Sequence, residues 1–347
     1  MTRVVFVTQQ FDPDDPNLGI VVAQVAALAR RVDEVIVVSD RVVAGSLPAN
    51  ARGRSFAART QLGRGARLLL AVARELPGLR RGGVVIAHQV PLYAIVLAPL
   101  VRPARVPLLL WWSHWKLDLV VRTAEALSTR VVTVGATTFP KPSRKLVTVG
   151  QAIDVDRFAG AHDAHTGPLR AVVIGRYSPA KGLETIVRAV AAVDGVRLDV
   201  HGPAPNGEAL GERERVQGLV DELGVGDRVA LHGPLRRDEV VQALASSDVL
   251  VNNAPGGADR IVYEAAASGI PVLASNRAHA DLLDPDAFYR RDDADGLAAK
   301  LAGLASADRA EIGRRLRERV RSGHSVEAWA AGVLRAAGVR RNVADGG

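Results

Sequence analysis

The chain of 347 residues contains no cysteine, and aromatic residues make up only 4% of it. Without cysteine there can be no disulfide, no thiol nucleophile and no thiolate metal site. The scarcity of aromatic side chains argues against a nucleic-acid-binding protein, because such proteins stack bases on aromatic rings. We therefore expect no nucleic-acid partner, and a reducing compartment such as the cytoplasm fits the composition.

Long hydrophobic runs are also scarce. The stretch 82–101 has no charged residue and approaches the length of a membrane span, but two polar residues and two prolines interrupt it. These breaks favour a buried strand, a turn and a buried helix over a transmembrane segment. The first residues lead directly into a short strand pattern, so we expect no signal peptide.

Positive charge is concentrated in the first half of the chain. Residues 1–160 carry 21 Lys or Arg against 11 Asp or Glu, whereas the remainder carries 24 against 26. The densest part, Arg41–Arg81, has nine arginines and Glu75 as its one acidic residue. This asymmetry indicates either an anionic partner, such as the inner face of a membrane that the protein binds peripherally, or a solvated face without a partner.

Short strands rich in Val, Ile and Leu alternate with helical segments along the chain. The main predicted strands are 4–7, 35–38, 84–87, 108–112 and 131–134 in a first series, and 169–174, 197–200, 229–231, 249–251 and 272–274 in a second. Continuous apolar strands between helices predict parallel sheets that are covered on both faces. We therefore predict an α/β protein with two Rossmann-like, doubly wound parallel-sheet domains that face each other across a cleft.

A turn with two cations follows the first strand of the second series. Gly175 allows a sharp turn, and Arg176 and Lys181 lie beside the start of the next helix. Ligands of doubly wound sheets bind beyond the carboxyl ends of the strands, and a helix N-terminus attracts anions. The turn therefore suits a diphosphate, and the alternative is a surface turn with two solvated cations.

A lone carboxylate, Glu264, lies in a short alanine-rich helix. A carboxylate in such surroundings needs a partner. The vicinal hydroxyls of a ribose would supply two donors. Alternatively, Arg260 would pair with it from one helical turn earlier.

With these two segments the chain resembles the GT-B-fold glycosyltransferases, specifically the large retaining family 4. The most specific matches are G-R-Y-S-P-A-K-G at Gly175–Gly182 and E-A-A-A-S-G-I-P-V at Glu264–Val272. Three lesser matches are Gly150–Phe158, Leu231–Leu235 and His324–Trp329. The resemblance covers nearly the whole chain. It implies transfer of a sugar from a UDP- or GDP-linked donor to a hydroxyl acceptor, with retention of anomeric configuration and without a metal or other cofactor.

The resemblance also implies roles for individual residues. Arg176 and Lys181 would hold the donor diphosphate and stabilise its developing charge, and His114 would lie near the donor sugar, so these three form the expected catalytic set. The implied donor-binding residues are Gly19, Gly175, Arg176, Lys181, Leu231, His232, Gly256, Gly257, Asp259 and Glu264. No residue is assigned to a metal, because no D-x-D pair occurs where a metal–diphosphate site would be expected.

The two strand series, with a stretch of small and polar residues between them at 159–168, divide the chain, and the resemblance implies the roles of its four segments. They are an acceptor-binding domain at 1–158, a linker at 159–168, a nucleotide-sugar-binding domain at 169–324, and a C-terminal helix at 325–340 that returns to the first domain.

One position departs from the family pattern. Eight residues before Glu264, where the family often carries a glutamate that contacts the transferred sugar, this chain has Gly256. The amides of Gly256 and Gly257, or the Asp259 carboxylate, would then take over the sugar contact. This departure favours one alternative function, a non-catalytic sugar-nucleotide-binding subunit. A sugar-nucleotide epimerase of the same fold also stays open, although it would need acids and bases around the sugar and the Gly256–Gly257 loop argues mildly against it.

Overall fold

The computed structural model describes residues 2–15, 18–114, 117–159 and 167–339. The chain divides into two compact units. The first comprises residues 1–154 and 323–347, and the second comprises residues 155–322.

The first unit is built around a parallel sheet of seven strands in the order β5-β3-β1-β6-β7-β8-β9. Its strands are β1 (Arg3–Val7), β2 (Gln10–Phe11), β3 (Glu34–Ser39), β4 (Arg41–Val42), β5 (Ala51–Ser55), β6 (Val84–His88), β7 (Leu108–Trp111), β8 (Arg130–Thr133) and β9 (Leu146–Thr148), of which β2 and β4 form a separate pair. The helices of this unit that precede Asp154 are α1 (Ile20–Ala29), α2 (Gln61–Ala73), α3 (Leu76–Leu79), α4 (Pro91–Val101) and α5 (Leu119–Leu127). The central strands are buried along almost their whole length, as a parallel sheet covered on both faces requires.

The uncharged stretch 82–101 contains β6, a turn and α4. The expected strand–turn–helix arrangement is thus confirmed, and α4 has 11 residues. Among the residues that the structure describes, no helix has both the length and the apolar character needed to cross a bilayer.

The second unit contains a parallel sheet of five strands in the order β12-β11-β10-β13-β14. Its strands are β10 (Leu169–Ile174), β11 (Val196–His201), β12 (Val229–His232), β13 (Val249–Asn252) and β14 (Val272–Ala274). Its helices are α6 (Leu183–Ala191), α7 (Gly207–Glu222), α8 (Arg237–Ala245), α9 (Arg260–Ser268), α10 (Ala294–Ser306) and α11 (Arg309–Arg319). Both units therefore have the predicted Rossmann-like, doubly wound parallel sheet, and in the second the strand order reverses between β10 and β13.

Along the chain, the first unit ends at Asp154, which is four residues before the predicted end of the first domain. The 3-10 turn Val155–Phe158 already belongs to the second unit, because its two apolar side chains are buried and Arg317 Nη2 donates to the Phe158 carbonyl at 2.8 Å. Most of the predicted linker, residues 160–166, lies outside the described residues.

The last helix, α12 (Val326–Ala336), packs in the first unit. The backbone N–H of Val326 donates to the Ile153 carbonyl at 2.9 Å. Glu327 pairs with Arg31 at 2.5 Å, and the Trp329 ring meets Trp111 edge-on at 5.8 Å between centroids. The helix that we expected at 325–340 is thus part of the first unit, and residues 340–347 lie outside the described range.

Candidate active site

The two most specific sequence motifs flank the point where the strand order of the second sheet reverses. β10 and β13 are neighbours in the sheet, with Ala171 opposite Val249. The loop after β10 contains Gly175–Gly182, and the loop after β13 leads to Asp259 at the start of α9. In doubly wound sheets this is the place where ligands bind.

An ion pair joins these two loops. Lys181 Nζ donates to the Asp259 carboxylate, and Asn252 Nδ2 donates to the same carboxylate oxygen at 3.0 Å. Burial by itself would raise the pKa of Asp259, but the Lys181 ammonium and the Asn252 amide hold it below its usual value. The carboxylate therefore stays ionised at neutral pH, and Lys181 is a positioned cation with a partner rather than a solvated one.

Gly182 sets the geometry of the same junction. Its backbone is left-handed, with φ of 55°, and a Cβ added there would lie 2.3 Å from Asn253 Nδ2. That amide nitrogen donates to the Gly182 carbonyl at 3.1 Å. A side chain at position 182 would therefore both strain the backbone and displace the asparagine that connects the loops.

Arg176 differs from Lys181 in its surroundings. Its side chain is exposed, and within the described ranges no hydrogen bond or ion pair involves its guanidinium. Tyr177, the next residue, is buried, and its single hydroxyl hydrogen is shared between the carbonyls of Val200 at 3.1 Å and His232 at 2.9 Å. The turn is thus fixed by Tyr177, and Arg176 is available to an anion.

Glu264 lies on α9, one turn after Arg260, and is partly buried. Burial raises the pKa of Glu264, although Arg260 and two further arginines, Arg237 and Arg157, lower it. Of the described residues, none approaches the Glu264 carboxylate within hydrogen-bonding or ion-pairing distance, and Arg260 Nη1 is a buried donor without an acceptor. The structure therefore does not contain the Arg260–Glu264 ion pair that the sequence analysis gave as the alternative to a ribose contact.

The loop that contains Gly256 and Gly257, where the family often carries a glutamate, is fixed by a hydrogen bond to its backbone. Asn276 Nδ2 donates to the Gly257 carbonyl at 2.8 Å. Gly256 and Gly257 are both partly exposed. Their backbone is accessible between β13 and α9, where the resemblance implies a sugar contact.

The end of β12 carries Leu231 and His232, both partly buried. His232 Nε2 lies 2.7 Å from Asp199 Oδ1, and its ring stacks on that of His201 with the centroids 4.4 Å apart. Burial, together with the neighbouring His232, lowers the pKa of His201 despite the Asp199 carboxylate. His232 is thus part of a polar cluster that the sequence analysis did not anticipate.

The remaining two candidates, Gly19 and His114, belong to the first unit. Gly19 directly precedes α1, and a Cβ there would lie 2.7 Å from the Pro13 carbonyl oxygen and 2.8 Å from that of Asp15. Only glycine fits this close approach of the backbone at position 19 to the loop at Pro13 and Asp15. His114 follows β7, is exposed, and has its ring 5.7 Å from that of Trp112.

Sequence reasoning missed the asparagines of the second unit. Asn252 and Asn253 are both almost fully buried, and they orient Asp259 and Gly182 respectively. The signal available was two consecutive amides directly after a buried strand, since polar side chains in such a place need partners.

Comparisons with known proteins concern the family of the second unit and the fold of the chain. Residues 168–307 match the family described as glycosyl transferases group 1. This match lies within the second unit and covers less than half of the chain. The chain has the GT-B fold of the solved structures that it resembles.

The relatives found by sequence are partial matches. A D-inositol 3-phosphate glycosyltransferase of Mycolicibacterium smegmatis is 32% identical over 136 residues, which is 37% of this chain and 31% of the relative. One of Mycobacterium marinum is 29% identical over 161 residues, 46% of this chain and 28% of the relative. The matched part thus spans less than a third of each of these two relatives.

The solved structures match over almost the whole length. Sucrose-phosphate synthase from Thermosynechococcus elongatus has a TM-score of 0.73 at 16% identity and covers 96% of this chain and 98% of its own. Anabaena HepE, in complex with UDP and glucose, has a TM-score of 0.72 at 16% identity. This match covers 97% of this chain and 99% of the HepE chain. At these identities the likeness establishes the fold.

Proposed function

We propose that the protein is a hexosyltransferase that moves a sugar from a nucleoside-diphosphate sugar to a hydroxyl acceptor. The observation that carries the proposal is the junction of the two motif loops at the reversal of the second sheet, with Arg176, Lys181, Asp259 and Glu264 on it. The family match and a UDP-bound structural neighbour support the same donor class. We further propose retention of configuration and metal-independent turnover.

In the proposed reaction the bond between the anomeric carbon and the diphosphate oxygen breaks, and the acceptor oxygen bonds to the same face of that carbon. The acceptor's proton passes to the leaving diphosphate, so no protein nucleophile is needed. Arg176 and Lys181 would stabilise the charge that develops on the diphosphate. The Lys181 ammonium has three N–H donors, so it can bind a phosphate oxygen while Asp259 keeps it in position.

Glu264 would accept hydrogen bonds from the ribose hydroxyls, because its carboxylate has no protein donor within the described part of the chain. The backbone of Gly256 and Gly257 would contact the transferred sugar in place of the usual glutamate. Leu231 and His232, at the end of β12, would lie near the nucleobase.

The proposal is tested first by a thermal-shift screen of nucleotide sugars. A ligand present at 100 times its dissociation constant stabilises the folded state by roughly 2.7 kcal/mol. The stabilising donor is then incubated with hydroxyl acceptors, and the anomeric configuration of the product is determined by NMR. Binding without turnover would favour the non-catalytic subunit, and an altered sugar without acceptor would favour the epimerase.

We expect turnover to continue in excess EDTA. Arg176 and the Lys181–Asp259 pair occupy the turn where a metal would otherwise neutralise the diphosphate. The initial rate is measured with EDTA, and again after Mg²⁺ or Mn²⁺ is added in excess over the chelator. A complete loss of activity that either metal restores would contradict metal-independent transfer.

We also propose that α2 in the first unit binds an anionic membrane surface. Within the basic region, Arg52 and Arg54 pair with the buried Glu75, and Arg64 pairs with Asp40. Because these arginines already have carboxylate partners, the surface that we propose does not depend on them. Within Arg41–Arg81, the proposed surface consists of exposed side chains along and beside α2, namely Arg59, Leu62, Arg67, Leu70 and Arg74.

Replacing Arg59, Arg67 and Arg74 together with glutamine should weaken sedimentation with phosphatidylserine vesicles roughly a hundredfold, at about 1 kcal/mol for each basic residue near the surface. The matched control replaces three arginines of the second unit, Arg188, Arg236 and Arg314, with glutamine. Equal loss in both variants would indicate a general charge effect. If the unaltered protein does not sediment with these vesicles at low salt, the proposal is wrong and the basic region is a solvated face without a partner.

A further inference from the structure

Two histidines and an aspartate lie together on neighbouring strands of the second unit. Asp199 and His201 are two residues apart on β11, so their side chains leave the same face of the sheet. His201 is directly opposite His232 on β12. One potential ligand atom from each of the three side chains lies within 4.8 Å of the other two.

The cluster contains a polar atom that no protein group satisfies. Nδ1 of His201 is buried, and no hydrogen-bond partner for it occurs in the part of the chain that the structure describes. Buried ring nitrogens are normally paired, since an unpaired one loses its interaction with water without compensation. Its neighbour His232 already directs Nε2 toward Asp199 Oδ1 at 2.7 Å.

We propose that Asp199, His201 and His232 form a zinc site. Two imidazoles and one carboxylate are a ligand set that zinc takes in proteins, whereas magnesium and calcium prefer oxygen ligands alone. Around a tetrahedral zinc with bonds near 2.0 Å, ligand atoms are roughly 3.3 Å apart. The side chains of His232 and Asp199 are 41% and 49% exposed, so small rotations can bring the three ligand atoms to that spacing.

The position of the three residues in the sheet indicates what a bound zinc would do. Two of its ligands come from β11 and the third from β12, the edge strand of the sheet. A bound zinc would therefore cross-link the edge strand to its neighbour and stabilise the folded state. Water would take the fourth coordination position.

The site is tested with the full chain after EDTA treatment and removal of the chelator. Zn²⁺ is titrated in competition with a chromophoric chelator, and thermal unfolding is followed with and without Zn²⁺. We expect one zinc per chain and a higher Tm in its presence. Asp199→Asn, His201→Gln and His232→Gln should each weaken zinc binding by more than about a hundredfold, since even loss of an outer-sphere partner costs ten- to a hundredfold.

The matched control is His114→Gln, which removes an exposed histidine of the first unit and should leave zinc affinity unchanged. Zinc affinity that is the same in the three cluster variants as in the unaltered protein would overturn the proposal, as would the absence of zinc binding to the folded chain. If circular dichroism shows that a variant does not fold, the visible absorption of Co²⁺ bound to the unaltered protein tests the site. Strong visible absorption of tetrahedral cobalt supports the site, and only the weak absorption of octahedral cobalt contradicts it.

These measurements need no turnover. The zinc site and the proposed glycosyl transfer can therefore fail independently, and EDTA should lower the Tm of the zinc-loaded protein while leaving its transfer rate intact.

Discussion

Lys181→Ala is expected to weaken nucleoside-diphosphate binding about a hundredfold, and Arg176→Ala about tenfold. Loss of a charge-assisted hydrogen bond costs about 1.5–3 kcal/mol, which is roughly a tenfold to hundredfold change in affinity. The two residues should differ because Lys181 is paired with Asp259 and Arg176 is exposed. Removing Lys181 leaves the Asp259 carboxylate with its Asn252 hydrogen bond but without a cation beside the bound diphosphate, so repulsion adds to the lost contact.

The control for this explanation is the double variant Lys181→Ala/Asp259→Asn, in which the repelling charge is also removed. It should bind the nucleoside diphosphate more tightly than Lys181→Ala alone, and calorimetric titration measures all four affinities. If the double variant gains nothing, Asp259 does not act through its charge. If both single variants bind like the unaltered protein, the diphosphate does not bind at this turn.

The second large effect concerns Glu264 and the ribose. A carboxylate can accept hydrogen bonds from both ribose hydroxyls, and its charge strengthens them. The unaltered protein should therefore prefer a ribonucleotide over its 2′-deoxy analogue by about 1.5–3 kcal/mol, the range for a hydrogen bond to a charged group. In Glu264→Ala both ligands should bind weakly and nearly equally.

Titration of two proteins with two ligands gives a double-mutant cycle, which separates a direct contact from general damage. If Glu264 instead served only its neighbours on α9, both ligands would weaken by the same factor. A coupling energy within about 0.5 kcal/mol of zero would therefore count against the ribose contact. Glu264→Gln is the conservative variant, since it keeps an acceptor oxygen without the charge and should retain part of the preference.

The same preference should depend on pH. Because burial raises the pKa of Glu264, its carboxylate takes up a proton at a higher pH than an exposed glutamate does. A protonated carboxyl group accepts hydrogen bonds less strongly, so the preference for ribose should decline as the pH falls. The ratio of the two affinities is the quantity to follow, because the phosphate groups of both ligands titrate alike and cancel.

Parts of the fold could be predicted because their signals are local. β10 begins and ends where the apolar pattern placed it, at Leu169 and Ile174. β5, by contrast, has the sequence A-R-G-R-S and was not predicted. Its arginines suit a strand only because Glu75, 2% exposed, lies where Arg52 and Arg54 can reach it.

The same distinction applies to the candidate site. The turn at Gly175 and the helix at Glu264 were found because each motif is continuous in sequence. The Lys181–Asp259 pair joins residues 78 positions apart. Arg260 and Glu264 are only four positions apart, yet the structure does not bring them to ion-pairing distance, whereas it does form the distant pair.

The sequence by itself determined that the chain alternates strand and helix in two series and which loops carry the cations and the carboxylate. It did so because burial of a parallel strand and the start of a helix leave a local pattern of residue types. Only the tertiary structure decided which of those charges are paired, and that Asp199, His201 and His232 share one sheet face. Such pairings depend on strand order and register, which bring together side chains whose separation in sequence carries no periodic signal.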